Sequence, residues 1–110
     1  MENLILLVDD QNFEEVIAKS TMPMILAVGN QRCIDCRRMA PFFMQFAQKY
    51  AGKVQFASAD SDACPVLFQK LEIQHIPTFF FIKRGKIQST LVEPKTLAPF
   101  QEFIQQALDQ

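Results

Sequence analysis

Apolar runs and apolar periodicities alternate along this chain, and their order predicts its elements. Leu4 to Val8 is a short β-prone run, halted by Asp9 and Asp10. Asn12 and Glu15 have capping-box spacing, and Phe13, Val16 and Ile17 recur at helical intervals up to about Lys19, before Thr21 to Pro23 punctuate the end. Met24 to Val28 is apolar without polar alternation, as expected of a central strand covered on both faces. Met39, Phe42, Phe43, Phe46, Ala47 and Tyr50 then repeat at three and four, describing a helix that lays an aromatic face on the sheet. Pro41 is expected to bend that helix after its first turns, and Ala51-Gly52-Lys53 to end it.

Val54 to Ala59 reads as a strand closed by Asp60-Ser61-Asp62, and residues 63–71 leave room for a short helix. Thr78 to Lys83 reads as a further strand, Arg84-Gly85 as a tight turn, and Lys86 to Val92 as the antiparallel partner. Thr96 is placed to cap a last helix whose apolar face is Leu97, Phe100, Phe103, Ile104 and Ala107, with Pro99 tolerated in its first turn. The order is βαβαβαββα. It predicts an α/β fold, a mixed sheet between helix layers, in one domain over residues 1–110.

Composition narrows the function classes. With 49% hydrophobic residues and a net charge of -1, the chain can bury a core, and it has no broad electrostatic reason to bind nucleic acid or an anionic membrane. No apolar stretch approaches a membrane span, and Met-Glu-Asn at the start reads as no secretory signal. Three cysteines, an odd count, suit an intracellular protein with one reactive pair better than a secreted disulfide scaffold, so a cytoplasmic location is expected.

That pair lies in Arg32-Cys33-Ile34-Asp35-Cys36-Arg37-Arg38, where an apolar strand gives way to a helix. Two intervening residues let one helical turn bring the sulfurs together, so dithiol and disulfide are both accommodated with little backbone movement. Cys33 falls at the helix start, where unpaired N–H groups and the macrodipole favour a thiolate. Arg32, Arg37 and Arg38 act in the same direction; Asp35, inside the loop, opposes them according to where its carboxylate points. The chemistry expected is thiol–disulfide exchange, with Cys33 as nucleophile and Cys36 as resolving thiol.

Ile76-Pro77-Thr78, just before a strand and about forty residues beyond the pair, is the second distinctive feature. With the CxxC, Pro41, the Lys83-Arg84-Gly85-Lys86 hairpin and the final amphipathic helix, it makes the chain resemble the thioredoxin family over nearly its full length. The resemblance implies a thioredoxin-like fold and a cytosolic protein-disulfide reductase. It also implies a cis bond before Pro77, and an Ile76 backbone that pairs with an extended substrate segment. Arg32, Ile76, Pro77 and Thr78 are then the expected substrate-binding residues, and Ile34, Asp35 and Arg37 the ones that modulate the loop. Implied partners are disulfide-containing proteins and a reductase or small-thiol electron donor. The redox-active disulfide itself would serve in place of a cofactor, and a monomer is expected.

The chain also departs from the family pattern. Arg32 stands where a tryptophan is usual, and Ile34-Asp35 where Gly-Pro is usual. Ala27 and Ser58 replace a buried aspartate and a nearby lysine, which removes the group thought to accept the resolving thiol's proton. Glu93-Pro94 replaces a glycine of the substrate groove.

Other readings stand beside these. The fold could be a redox-inert binding module that uses the groove near Ile76 and Pro77. Cys33, Cys36, Cys64 and His75 supply the ligand types of a structural zinc site, but without the usual second pair at short spacing, so no metal is expected. Cys64 is read as a buried, inert thiol, with a regulatory role only if exposed. His75 is read as a surface or groove residue, and the phenylalanines at 42, 43, 46 and 79–81 as core.

Overall fold

Alternation within the two longest apolar strands builds the molecule. In the computed structural model, which describes residues 4–109, Ile25, Phe56, Phe79 and Phe81 point to one side of the sheet, and Leu26, Ala57, Phe80 and Ile82 to the other. Each face needs a cover. The elements are β1 (Ile5–Leu7), α1 (Phe13–Lys19), β2 (Met24–Gly29), α2 (Ile34–Lys49), β3 (Gln55–Asp60), α3 (Pro65–Lys70), β4 (Thr78–Lys83), β5 (Lys86–Val92) and α4 (Leu97–Leu108). Helices α2 and α4 bury Met39, Phe43, Phe46, Phe100, Phe103 and Ile104 on the first face, while α1 and α3 set Phe13 and Leu67 on the second.

The strand order is β1-β3-β2-β4-β5, with β1, β3 and β2 parallel and β4 antiparallel to both β2 and β5. This is the mixed sheet between helix layers expected from the sequence. The first face is an aromatic cluster in which Phe79 and Phe100 approach to 4.8 Å between ring centres and Phe43 meets Phe56 edge-on at 5.3 Å. Ala27 pairs with Ser58, and Gly29 with Asp60, so small or polar residues follow one another on that face toward the strands' carboxyl ends.

Some local expectations change, and others are met. Asn12 does not cap α1: its Oδ1 accepts from the Asp9 N–H at 2.8 Å, while Asp9 Oδ1 accepts from the Gln11 and Asn12 N–H groups at 2.9 Å each. Asp9 is the stronger local acceptor and draws the turn onto itself, and Glu15 pairs with Lys19 at 2.7 Å instead of reaching back. Thr96 occupies the N-cap of α4 in extended conformation but makes no side-chain cap bond. Helix α2 continues through Pro41 without a break. The β4–β5 turn places Arg84 at φ 55° and Gly85 at φ 76°, the paired left-handed residues of a type I′ turn.

Candidate active site

Strand β2 ends at Gly29, and the four residues before α2 are folded by one side chain. Asn30 Oδ1 accepts from the N–H groups of Arg32 at 3.0 Å and Cys33 at 2.9 Å, and its Nδ2 donates to Ser61 Oγ at 3.2 Å. Cys33 is thereby set at the N-cap of α2 in extended conformation (φ -80°, ψ 121°). Its Sγ accepts from the Cys36 N–H at 3.2 Å, occupying the place that a serine or aspartate oxygen takes in an ordinary cap. The same sulfur lies 3.8 Å from the Ile76 carbonyl oxygen, to which the thiol donates. Both cysteines are free thiols, partly exposed.

Cys36 sits in different surroundings. Its Sγ rests over Gly29, so close that a Cβ there would lie 2.7 Å from the sulfur, and a glycine is what the close approach requires. Burial, then the hydrogen bond and charge of the neighbouring Cys33 sulfur, push the Cys36 thiol up to about 12. The sulfur borders a crevice of about 500 Å³ between α2 and the carboxyl ends of β1, β2 and β3, whose walls include Ala27, Gly29, Ser58, Met39 and Phe43. Ala27 and Ser58, the two departures noted in sequence, are therefore neighbours in register and both face this space.

Asp35 is partly exposed at the surface, its side chain 20% exposed, with one oxygen on Lys95 Nζ and the other 3.2 Å from Arg38. The hydrogen-bonded Lys95 ammonium holds this carboxyl below the usual range, and Asp35 in turn raises Lys95. Of the other residues expected near the thiols, Arg32 is exposed and paired with Asp62, while Ile34 and Arg37 are exposed on the first turn of α2.

The Ile76–Pro77 bond is cis, as the resemblance implied. Pro77 is buried beside Cys36, within 3.9 Å of the same added Cβ at Gly29, and its carbonyl accepts from the Glu93 N–H at 2.8 Å. Thr78, expected among the substrate-binding side chains, is 3% exposed, and its hydroxyl donates to the His75 carbonyl at 2.5 Å. It shapes the loop from beneath. Ile76 is partly buried against the α1/α3 core. Glu93 stands at φ 47°, a conformation that favours glycine, so the chain keeps the backbone shape while adding a carboxylate 3.4 Å from His75 Nδ1.

Cys64 is 1% exposed in the opposite core, its thiol donating to the Val8 carbonyl at 3.7 Å, and burial with the nearby Asp10, Asp9 and Asp60 raises its titration. This removes the exposure that a regulatory role needed. Among the described residues no three His, Cys, Asp or Glu side chains are grouped as a metal ion would require, so the Cys33, Cys36, Cys64 and His75 set does not assemble. Nor is any helix of the described residues long and apolar enough to cross a membrane.

Two contributors escape the motif reading. Asn30 was legible in principle, as an Asn two and three residues before the N–H groups that it binds. Lys95 lies 60 residues from its partner Asp35, and no local pattern announces it.

With this geometry in view, the comparisons agree. A sequence model of the family described as Thioredoxin matches residues 4–106. A thioredoxin of Acidithiobacillus ferridurans is 30% identical over 98% of this chain and 100% of its own length. One of Haemophilus influenzae is 28% identical over 93% of this chain and 95% of its own, and a chloroplastic M-type thioredoxin of Pisum sativum is 27% identical over 94% and 60%. A cysteine pair at a helix N-terminus, a cis proline beside it, and these similarities along nearly the whole length make the chain a member of the thioredoxin family, a thiol–disulfide oxidoreductase.

Proposed function

We propose that the protein reduces disulfides in other proteins, with Cys33 as attacking thiolate and Cys36 as resolving thiol. Cys33 Sγ attacks one sulfur of the target disulfide, and the other leaves as a thiolate, giving a mixed disulfide. Cys36, losing its proton, then attacks Cys33 Sγ; the target departs as a thiol, and a Cys33–Cys36 disulfide remains. A reductase or small thiol returns the two electrons. The observation that carries this reading is the Cys36 N–H directed onto Cys33 Sγ at 3.2 Å, a donor at a helix N-terminus that stabilises negative charge on the sulfur that attacks.

Ile76 and Pro77 form the docking element, because the Ile76 backbone borders Cys33 and an extended segment laid along it would present its disulfide to that sulfur. Arg32 and Arg37 lie on the exposed side and favour acidic segments; Ile34 and Asp35 shape the loop. The protein is a single-domain, monomeric, cytoplasmic reductant in this reading. Dithiothreitol-driven reduction of insulin tests it: wild type should turn over, Cys33→Ser should not, and Cys36→Ser should accumulate mixed disulfide. Undiminished turnover by Cys33→Ser, or none by wild type with any dithiol donor, would leave a binding module instead.

A further inference from the structure

Asp35 is the one charged residue between the two cysteines, and an unpaired carboxylate there would oppose every thiolate that the helix end favours. It is not unpaired. Lys95, from the β5–α4 loop, hydrogen-bonds one carboxylate oxygen, and Arg38, one turn along α2, takes the other at 3.2 Å. Lys95 also reaches Glu93 Oε2 at 3.9 Å, and Glu93 Oε1 lies 3.4 Å from His75 Nδ1, at the foot of the cis-proline loop. The pairs therefore run from inside the CxxC to the loop that carries Ile76.

Exposed ion pairs add little to folding stability, so their placement here has another consequence. The oxidised Cys33–Cys36 disulfide is uncharged, whereas the reduced pair carries negative charge whenever Cys33 is ionised. Charges near the loop thus act on one side of the redox equilibrium. We infer that Lys95 is a positioning residue for the redox pair: by holding and neutralising the Asp35 carboxylate it keeps that charge from opposing the Cys33 thiolate, and so makes the couple more oxidising than the loop alone would. Arg38 shares the carboxylate but lies on the same helix, so it cannot tie the motif to the rest of the rim. Lys95 can, and it links the loop to Glu93.

The inference rests on the proposed dithiol chemistry, and its test separates the two. The protein is equilibrated at neutral pH with reduced and oxidised glutathione, so that two glutathione thiols are oxidised to one disulfide as the Cys33–Cys36 bond is broken. The oxidised fraction is read by alkylation and mass. Lys95→Gln should shift the equilibrium toward the protein disulfide by about threefold or more and slow Cys33 alkylation in the same sense. Lys95→Arg should restore both. In an Asp35→Asn background the same Lys95→Gln change should do nothing, because its effect passes through the lost carboxylate. An unchanged equilibrium in Lys95→Gln, or an equal shift with and without Asp35, overturns the assignment while leaving the reductase intact. A wild type that never forms the intramolecular disulfide overturns both.

Discussion

Raising the pH from 7 to 9 should accelerate release of target from the mixed disulfide by about fifty- to a hundredfold, because only the thiolate of Cys36 can attack and it is scarce at neutral pH. The thiol is pushed up to about 12 from its ordinary 9.0, first by burial and then by the hydrogen bond and charge of Cys33. In the mixed disulfide Cys33 is bonded to the target and carries no charge, so its contribution falls away; burial persists, and the docked target deepens it. Cys36 then titrates between 9.0 and about 12, and at pH 7 at most about one molecule in a hundred is ionised. Over the next two pH units the thiolate fraction, and with it the release rate, rises by about fifty- to a hundredfold in all. The assay is a stopped-flow pH jump: mixed disulfide with a fluorescent peptide is formed in acid, where Cys36 is protonated, and release is followed after mixing to each final pH. A rate that levels off at or below about pH 8 would refute the reasoning, since a group such as Asp9 or Asp60, which line the crevice beside Cys36, must then take the proton that Ala27 does not.

The same crevice supplies the next expectation. Ala27→Asp places a carboxylate on the crevice beside Cys36, opposite Ser58, and should speed neutral-pH release by about tenfold or more and flatten its pH dependence; an unaltered single-turnover profile would count against proton transfer as the limiting event. Gly29→Ala inserts a methyl 2.7 Å from Cys36 Sγ, so the side chain must move: urea unfolding should show about 1–3 kcal/mol lost, with slower release, and full stability would mean that the helix end yields more freely than its packing suggests. Phe100→Ala empties the centre of the aromatic cluster, where Phe100 is 0% exposed and touches Phe43, Phe46 and Phe79, and should cost about 3–5 kcal/mol by the same measurement without altering the glutathione equilibrium.

What could be read in the sequence was what local physics decides. The run Met24 to Val28, the aromatic stripe from Met39 to Tyr50 and the buried strand from Thr78 each follow from periodicity, because burial on one or two faces dictates which positions are apolar. The cysteine spacing placed both thiols on the first turn of α2 for the same reason. Caps were less legible: before α1, Asp9 and Asn12 bond each other's N–H groups, so Asn12 is drawn back to Asp9 instead of forward onto the helix, a choice that depends on backbone angles that composition does not encode. Thr78 reads as a groove residue in sequence and faces inward in the fold, since the first residue of a fully buried strand has no exposed side to present. The Asp35–Lys95 contact was beyond reach, being made by a loop that meets the motif only after β4 and β5 have been laid down.

Two thiols one turn apart meet unlike surroundings, and the difference supports the proposed order of action, Cys33 first and Cys36 second. Cys33 receives a backbone N–H at a helix end and keeps an exposed approach beside Ile76, so charge on it is stabilised where a target can arrive. Cys36 lies over Gly29 against carbon, so charge on it is penalised until its attack removes it. Were the roles reversed, the first step would need charge on the sulfur whose titration burial already raises. Ala27 offers no carboxylate beside Cys36, so in the proposed cycle the second step is the one expected to be slow. A chain built this way should therefore hold its targets longer than it takes to capture them at neutral pH, and the non-reducing gel of a quenched reaction should show wild-type mixed disulfide that fades as the pH is raised.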